Sequence, residues 1–415
     1  MYERILVRYG DLTLKGKNKK VFVERVNQLI REKVNNPHVK YEKNHDRLYI
    51  VLNGEHHEEI IASLDKVSGL SSYSFISKTS RDMESIKAKA LEVVQGELGD
   101  KVVTFKVETK RADKTYPLQS PEISKEIAGH VLRNTETLLV DVHNPELTLF
   151  IEVRHHGAYL YCNKMKGMGG FPVGVAGKGL LMMSGGIDSP VAGFLAMKQG
   201  IEIECIHFES TPLTSIESAQ KVIDLTEKLS HFAPKNKINL HMVPFKELHE
   251  QLLEYVPEAY NITIMRRMMY RISEQIAAKH RCLVLINGES VGQVASQTLQ
   301  SMVAINDVTT MPVLRPLVTY DKLDIIDISN KIDCYDISVK PFEDCCTVYV
   351  PKKPTTSPKV YRCEYYETLF DYKPIIDKAV RDTKTFVIEA GSSRDITLEG
   401  FTIAEIPPKL TIPKE

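Results

Sequence analysis

The six residues Ser184-Gly185-Gly186-Ile187-Asp188-Ser189, followed at once by Pro190, have the makings of an anion-binding turn. Two glycines let a backbone bend sharply and present several N–H groups to one anion. A helix opening behind them adds the positive end of its dipole, so a pyrophosphate group would sit there well. Pro190 suits the first turn of that helix, where its missing donor costs nothing. Ser184 and Ser189 offer hydroxyl donors. Asp188 is out of place beside phosphate unless a cation stands between them, which points to Mg2+. No Gly-Lys-Ser/Thr follows, so this is not a Walker A loop.

A second pattern is Cys345-Cys346, set in a polar stretch between Pro341 and Pro351. A lone cysteine is usually a buried, inert one, and that reading suits Cys162, Cys205 and Cys282 within predicted strands. An adjacent pair in a loop-like segment points instead to thiol chemistry. A thiol there can carry a persulfide, whose terminal sulfur is a good nucleophile once deprotonated. Glu343 and Asp344 would raise the thiol pKa by repulsion, so activation must come from elsewhere, with Lys322, Arg315 or a bound cation in view. The rival reading takes Cys334, Cys345, Cys346 and Cys363 as ligands of a zinc ion or cluster. Their spacing contains no C-x-x-C, and thiol chemistry is favoured over any metal centre.

Smaller pieces fall at the ends of predicted strands, where open parallel sheets bind their ligands. These are Met182-Met183, His207-Phe208 and Gly288-Glu289-Ser290. Backbone groups at such ends can read the edges of a base. Arg266 and Arg267 could reach phosphate, and Gln297 lies in the polar run 295–298. Each alone fits a structural role as well, a methionine beside a core or an arginine on a solvated helix face. Their recurrence on successive strand ends favours a site.

The elements that must position these residues change style along the chain. Up to about residue 64 the order is strand, helix, strand, helix, with strands at Glu3–Tyr9 and Arg47–Leu52 and a helix over Lys19–Val34. Between the first strand and helix, Lys15, Lys17 and Lys19 crowd a basic turn suited to phosphate contacts. Mixed α+β patterning continues to about residue 164. It includes helices near 83–95 and 120–134 and strands at 102–108, 147–153 and 157–161. Gly167–Gly179 is dense in glycine, as a linker or loop between domains would be. Strand–helix alternation then predicts βαβ units on a parallel sheet: strands at 179–183, 201–208, 238–245 and 282–287, helices at 190–199, 215–230, 262–280 and 320–332. The last forty or so residues are weakly patterned.

At 415 residues, two or three domains are expected. No apolar run is long enough to span a bilayer and the start lacks a secretory core, which predicts no membrane association, a cytoplasmic protein and reduced thiols. The formal net charge is zero, yet the first fifty residues carry 12 basic against 6 acidic side chains. That asymmetry suits a polyanionic partner as well as it suits an ordinary solvated surface.

The hexapeptide resembles the SGGxDS loop of the PP-loop ATP pyrophosphatases, which cleave ATP to AMP and pyrophosphate while adenylating a substrate. Taken with the KGKN turn at 15–18, the MRRMM helix at 265–269, GESVGQVASQT at 288–298 and PFEDCCTVYVP at 341–351, it makes the chain resemble the tRNA 4-thiouridine synthetases over about residues 1–370. The resemblance implies an α/β parallel-sheet PP-loop domain over 179–385, after a glycine-rich linker at 166–178. Ahead of these it implies two α+β domains, a ferredoxin-like one over 1–60 and an RNA-binding THUMP domain over 61–165, and it leaves 386–415 as a tail of no assigned role. It places ATP on Met182, Met183, Ser184, Gly185, Gly186, Asp188, Ser189, His207, Phe208, Arg266, Gly288 and Gln297. Asp188 is expected in the adenylation and Cys346 in sulfur transfer, with Cys345 a less certain neighbour; Lys322, the group in view for activating the thiol, is counted with them as a catalytic residue.

The implied reaction has uridine O4, at position eight of tRNA, attack the α-phosphate. A Cys346 persulfide then replaces AMP with sulfur. A cysteine desulfurase is the expected donor, and a homodimer is compatible with the pattern. Some members carry a further rhodanese domain and supply sulfur for thiamine thiazole synthesis; this chain is expected to lack that domain and to take sulfur directly. Read without the resemblance, the residues also leave open a different PP-loop enzyme, such as a 2-thiolating or amidotransferase-type one, and an RNA-binding protein without catalysis.

Overall fold

The computed structural model describes residues 2–44, 47–99, 101–342 and 353–392. Cys345 and Cys346, and the tail expected from residue 386, therefore lie wholly or largely outside the described residues. The chain forms two compact units that divide after Gly170.

The first unit comprises β1 (Arg4–Arg8), α1 (Lys19–Val34), β2 (Lys40–Asn44), β3 (Arg47–Val51), α2 (His57–Leu64) and β4 (Ser72–Thr79). It continues with α3 (Met83–Glu97), β5 (Val103–Arg111), α4 (Ser120–Arg133), β6 (Leu138–Val140), β7 (Leu147–Arg154), β8 (Gly157–Tyr161) and β9 (Met165–Lys166). Its strands make one sheet in the order β2-β3-β1-β4-β8-β7-β5-β6, with β9 pairing β4. The sheet passes unbroken through the boundary expected near residue 60, because β4 pairs β1 on one side and β8 on the other. A buried Arg47–Glu152 ion pair ties β3 to β7.

Helix starts here follow local chemistry. Asp82 caps α3 by accepting from the Ser85 N–H at 2.8 Å, and Gln119 and Glu122 form a capping box on α4. The helix spacing read over Lys19–Val34 is met by α1, which buries Val23, Val26 and Ile30 and stops at Asn35 in a left-handed conformation.

The second unit comprises β10 (Lys178–Met182), α5 (Asp188–Lys198), β11 (Glu202–Glu209), α6 (Ile216–Ser230), β12 (Lys237–Pro244), α7 (Lys246–Tyr255), α8 (Glu258–Lys279) and β13 (Val284–Ile286). After these come α9 (Leu299–Asn306), β14 (Val313–Leu314), α10 (Lys322–Lys331), α11 (Tyr335–Ser338), α12 (Val360–Glu367), α13 (Tyr372–Asp382) and β15 (Lys384–Glu389). The sheet order is β14-β13-β10-β11-β12-β15. All neighbours are parallel except β15, which runs antiparallel along the edge of β12. The chain winds outward from β10 through β11 and β12, then returns to lay β13 on the other side. That reversal makes the crevice between β10 and β13 the place where such sheets hold ligands.

The weakly patterned end thus contributes helix α13 and strand β15, and α8 begins four residues earlier than its predicted start at Ile262. The glycine-rich stretch also differs from a loose linker. A Cβ on Gly167 would lie 2.3 Å from the Leu70 carbonyl oxygen, and the Gly174 N–H donates to the Gly200 carbonyl at 2.8 Å. Glycine serves close packing there. The core of the unit gathers on α8, whose Ile264, Met265, Met268, Met269, Ile272 and Ile276 are all buried. No helix among the described residues is long and apolar enough to cross a membrane.

Candidate active site

The phosphate loop leaves the end of β10 and turns into α5, as its sequence requires. Its two serines organise it. The Ser184 N–H donates to Ser189 Oγ at 3.0 Å, the Ser189 hydroxyl lies 3.0 Å from the Ser184 carbonyl, and the Gly186 N–H reaches Ser184 Oγ at 3.4 Å. Neither Gly185 nor Gly186 takes a left-handed φ. A Cβ on Gly186 would meet only Ser184 Oγ, at 3.6 Å. The absent side chain there clears the approach to the backbone, so the sharp bend expected of these glycines is not their contribution.

Gly288 does require its hydrogen. A Cβ would lie 2.7 Å from the Asp188 carbonyl carbon and 2.8 Å from the Ser189 nitrogen. The segment after β13 therefore presses against the first turn of α5, and this closes one wall of the crevice.

Asp188 is the first residue of α5, where a carboxylate is favoured by the helix dipole. Lys322 Nζ lies 2.7 Å from its Oδ1. Lys322 is itself the first residue of α10, the end of a helix where a cation is disfavoured. A lysine placed against that local rule and aimed at the phosphate loop is the arrangement expected of a functional group. Both side chains are partly exposed, 25% for Asp188 and 46% for Lys322, so the pair adds little to stability.

His207 and Phe208 are buried at the end of β11. His207 Nδ1 lies 3.0 Å from the Met183 carbonyl oxygen, and Phe208 packs edge-on against Phe245. Their side chains hold the strand end in place. Met183 is buried and Met182 half-buried.

Behind the crevice sits a charged cluster of which the sequence showed only fragments. Glu289 is buried and receives Arg266 at 2.5 Å and Arg315 at 2.6 Å. Asn287 donates to Glu289 at 2.8 Å and to the Tyr270 hydroxyl at 2.7 Å. Burial works to raise the Glu289 carboxyl, but the two guanidinium groups overcome it and hold the group below the usual carboxylate range. Arg266 is thereby oriented by Glu289, and Arg315 is committed to Glu289 and Asn306. Tyr270 and Asn287 escaped sequence reasoning; a polar asparagine closing an apolar strand was the one available signal. The Gln297 Oε1 atom is buried and accepts no hydrogen bond among the described residues.

Arg267 does not reach phosphate. It points inward, 1% exposed, to pair with Glu367 at 2.7 Å and to donate to the Ala304 carbonyl. Arg267→Met is therefore expected to destabilise the second unit by about 3 kcal/mol, since it leaves a buried carboxylate to Arg271 alone. A lowered thermal unfolding midpoint would show this.

Among the other cysteines, Cys205, Cys282, Cys334 and Cys363 are buried. Burial pushes the Cys334 and Cys282 thiols up to about 12, and Cys363 up to about 11. None has the character of a reactive thiolate. In the first unit, Lys15 and Lys17 are exposed beside the start of α1, and Lys19 is half-buried as its first residue.

Three family profiles match the chain in order: a ThiI ferredoxin-like domain over residues 4–74, a THUMP domain over 80–163, and the thiamine biosynthesis protein (ThiI) family over 174–372. A probable tRNA sulfurtransferase of Acholeplasma laidlawii is 51% identical over 405 residues, covering 98% of each chain. One from Geobacillus sp. (strain WCH70) is 47% identical, covering 96% of this chain and 99% of the relative. The crystal structure of a 4-thiouridine synthetase–RNA complex with bound ATP superposes with a TM-score of 0.86 at 36% identity, covering 94% of this chain and 100% of that one. With its three domains matched in order and near-complete coverage on both sides, the chain belongs to the tRNA sulfurtransferase family.

Proposed function

We propose that this chain uses ATP to activate uridine O4 in tRNA and replaces that oxygen with sulfur, giving 4-thiouridine. The observation that carries the reading is the phosphate loop at the sheet's reversal point, with Asp188 at the head of α5 bound to Lys322 from α10. Loop N–H groups and the start of α5 take the pyrophosphate portion. Lys322, 2.7 Å from Asp188, is in place to move onto phosphate as negative charge shifts from uridine to pyrophosphate. Arg266, steadied by Glu289, offers a second cation. The unpartnered Gln297 Oε1 is an acceptor in need of a donor such as an adenine amino group.

Mg2+ fits the same corner. Asp188 engages Lys322 through Oδ1, leaving Oδ2 as an oxygen ligand beside the phosphates. The ion would neutralise phosphate charge there.

O4 attacks the α-phosphorus and pyrophosphate leaves, so AMP becomes the leaving group at C4. A persulfide on Cys346 then attacks C4 and expels AMP, and cleavage of the S–S bond by a second thiol frees the thiolated base. Cysteine desulfurase as donor, position eight as target, a homodimer and a cytoplasmic setting complete the proposal; the target base must leave its stack or tertiary pairing to enter. Incubation with tRNA and ATP labelled at the α-phosphate tests the first step. AMP should appear only with tRNA present; ADP as the product would contradict the reading.

The first unit is the proposed tRNA grip. Replacing Lys15, Lys17 and Lys19 together with alanine should reduce tRNA affinity and flatten its dependence on salt by up to about 3 in the log–log slope. Binding measured between low and moderate salt would show it, and an unchanged slope would remove these residues from the interface.

A further inference from the structure

Helix α8, which carries Arg266, ends at Lys279, and its capping residue His280 lies 14 residues beyond Arg266, about 21 Å along the helix axis. At that far end, three side chains from separate elements converge. His241 Nε2 of β12 lies 2.8 Å from Glu204 Oε2 of β11, and His280 Nδ1 lies 3.1 Å from the same oxygen. The two imidazole centroids are 4.1 Å apart. His241 and Glu204 are buried, while His280 is a quarter exposed and opens the cluster to solvent.

We propose that Glu204, His241 and His280 form a binding site for one divalent transition-metal ion of the Zn2+ class, distinct from the ATP site. The three ligand atoms all lie within 4.8 Å of one another. Ligands about 2.1 Å from a tetrahedral ion stand about 3.4 Å apart, so the 2.8 and 3.1 Å contacts to Glu204 would lengthen by roughly half an ångström or less as the metal seats. Two imidazoles and one carboxylate select zinc, cobalt or nickel over magnesium or calcium. Three protein ligands leave a fourth position for water on the exposed His280 side.

Outer partners already fix the ligands. Thr385 Oγ1 lies 2.8 Å from His241 Nδ1, and Lys178 Nζ holds the other Glu204 oxygen, Oε1, at 2.6 Å. This is the supporting shell that orients metal-bound imidazole and carboxylate. Binding also requires a change of tautomer: His241 moves its proton to Nδ1, facing Thr385, and His280 moves its own to Nε2. Burial, and then the neighbouring His241, hold His280 below its ordinary pKa. Burial would raise the Glu204 carboxyl, but His241 and Lys178 outweigh it and bring the group down to about 2. Cys282 is close by, but its thiol is pushed up to about 12 and stands outside the ligand set. The ion would pin the end of α8 to β11 and β12.

Co2+ titrated into the chelator-treated full-length protein provides the test, read by visible absorption. One equivalent should bind with d–d bands and no near-ultraviolet thiolate band, and Zn2+ should displace it. His280→Gln, at a partly exposed position, should fold as judged by circular dichroism and weaken Co2+ binding at least about 100-fold. Thr385→Val should weaken it about 10-fold through the lost outer partner. Absence of saturable binding, a thiolate band, or unchanged affinity in His280→Gln would each overturn the site. None of these readouts depends on tRNA thiolation.

Discussion

Cys346→Ser is expected to release AMP from ATP and tRNA at close to the wild-type rate while yielding no thiouridine, a loss on the order of a thousandfold or more in product. The two half-reactions use different atoms. In the proposed reaction adenylation draws on the phosphate loop, Asp188 and Lys322, which lie at the β10–α5 junction and the start of α10. Sulfur delivery needs a thiol able to carry a persulfide, and among the described residues the cysteines of the second unit are buried with raised pKa values. Cys162 of the first unit is likewise pushed up to about 12 by burial, which leaves Cys345 and Cys346 among the seven cysteines of the sequence. Cys345→Ser should be the milder change, because the family pattern places the working thiol second. Nucleoside analysis after reaction with a cysteine desulfurase distinguishes the two, and full thiolation by Cys346→Ser would end the persulfide scheme.

Asp188→Ala and Lys322→Ala should each lower tRNA-dependent AMP formation by about 10²–10³-fold, the usual cost of removing one preorganised charge from a transition state. Their effects should not add. The 2.7 Å contact makes them one unit, so the double variant should be little worse than either single one. Folding should be nearly unaffected because both side chains are partly solvated. Binding of tRNA should persist, since the basic turn belongs to the other unit. Retained AMP formation in Asp188→Ala, or full additivity in the double variant, would break the assignment.

How much of this was legible in the sequence depended on how local the cause was. The phosphate loop could be read because strand, turn and helix start lie within a dozen residues. The adjacent arginines could not be told apart. Successive helical positions point about 100° apart, and only Glu367 and Asp307, distant in sequence, decide that Arg267 turns inward. Strand β4 was hidden by its serines: Ser72, Ser74 and Ser77 are buried, and the Ser74 hydroxyl is satisfied by the Asn163 carbonyl at 2.6 Å. Strand β15 escaped because an edge strand shows little periodicity until its partner β12 is known. The Glu204–His241–His280 cluster draws one ligand from each of three elements, so no spacing could have announced it.

The central claim is tested most directly by mass spectrometry of nucleosides from unmodified tRNA incubated with the enzyme, Mg-ATP and a sulfur donor. The prediction is 4-thiouridine at position eight, formed only when ATP is present and in step with AMP release. Appearance of 2-thiouridine, or of AMP with no thiolated nucleoside under any donor, would contradict it.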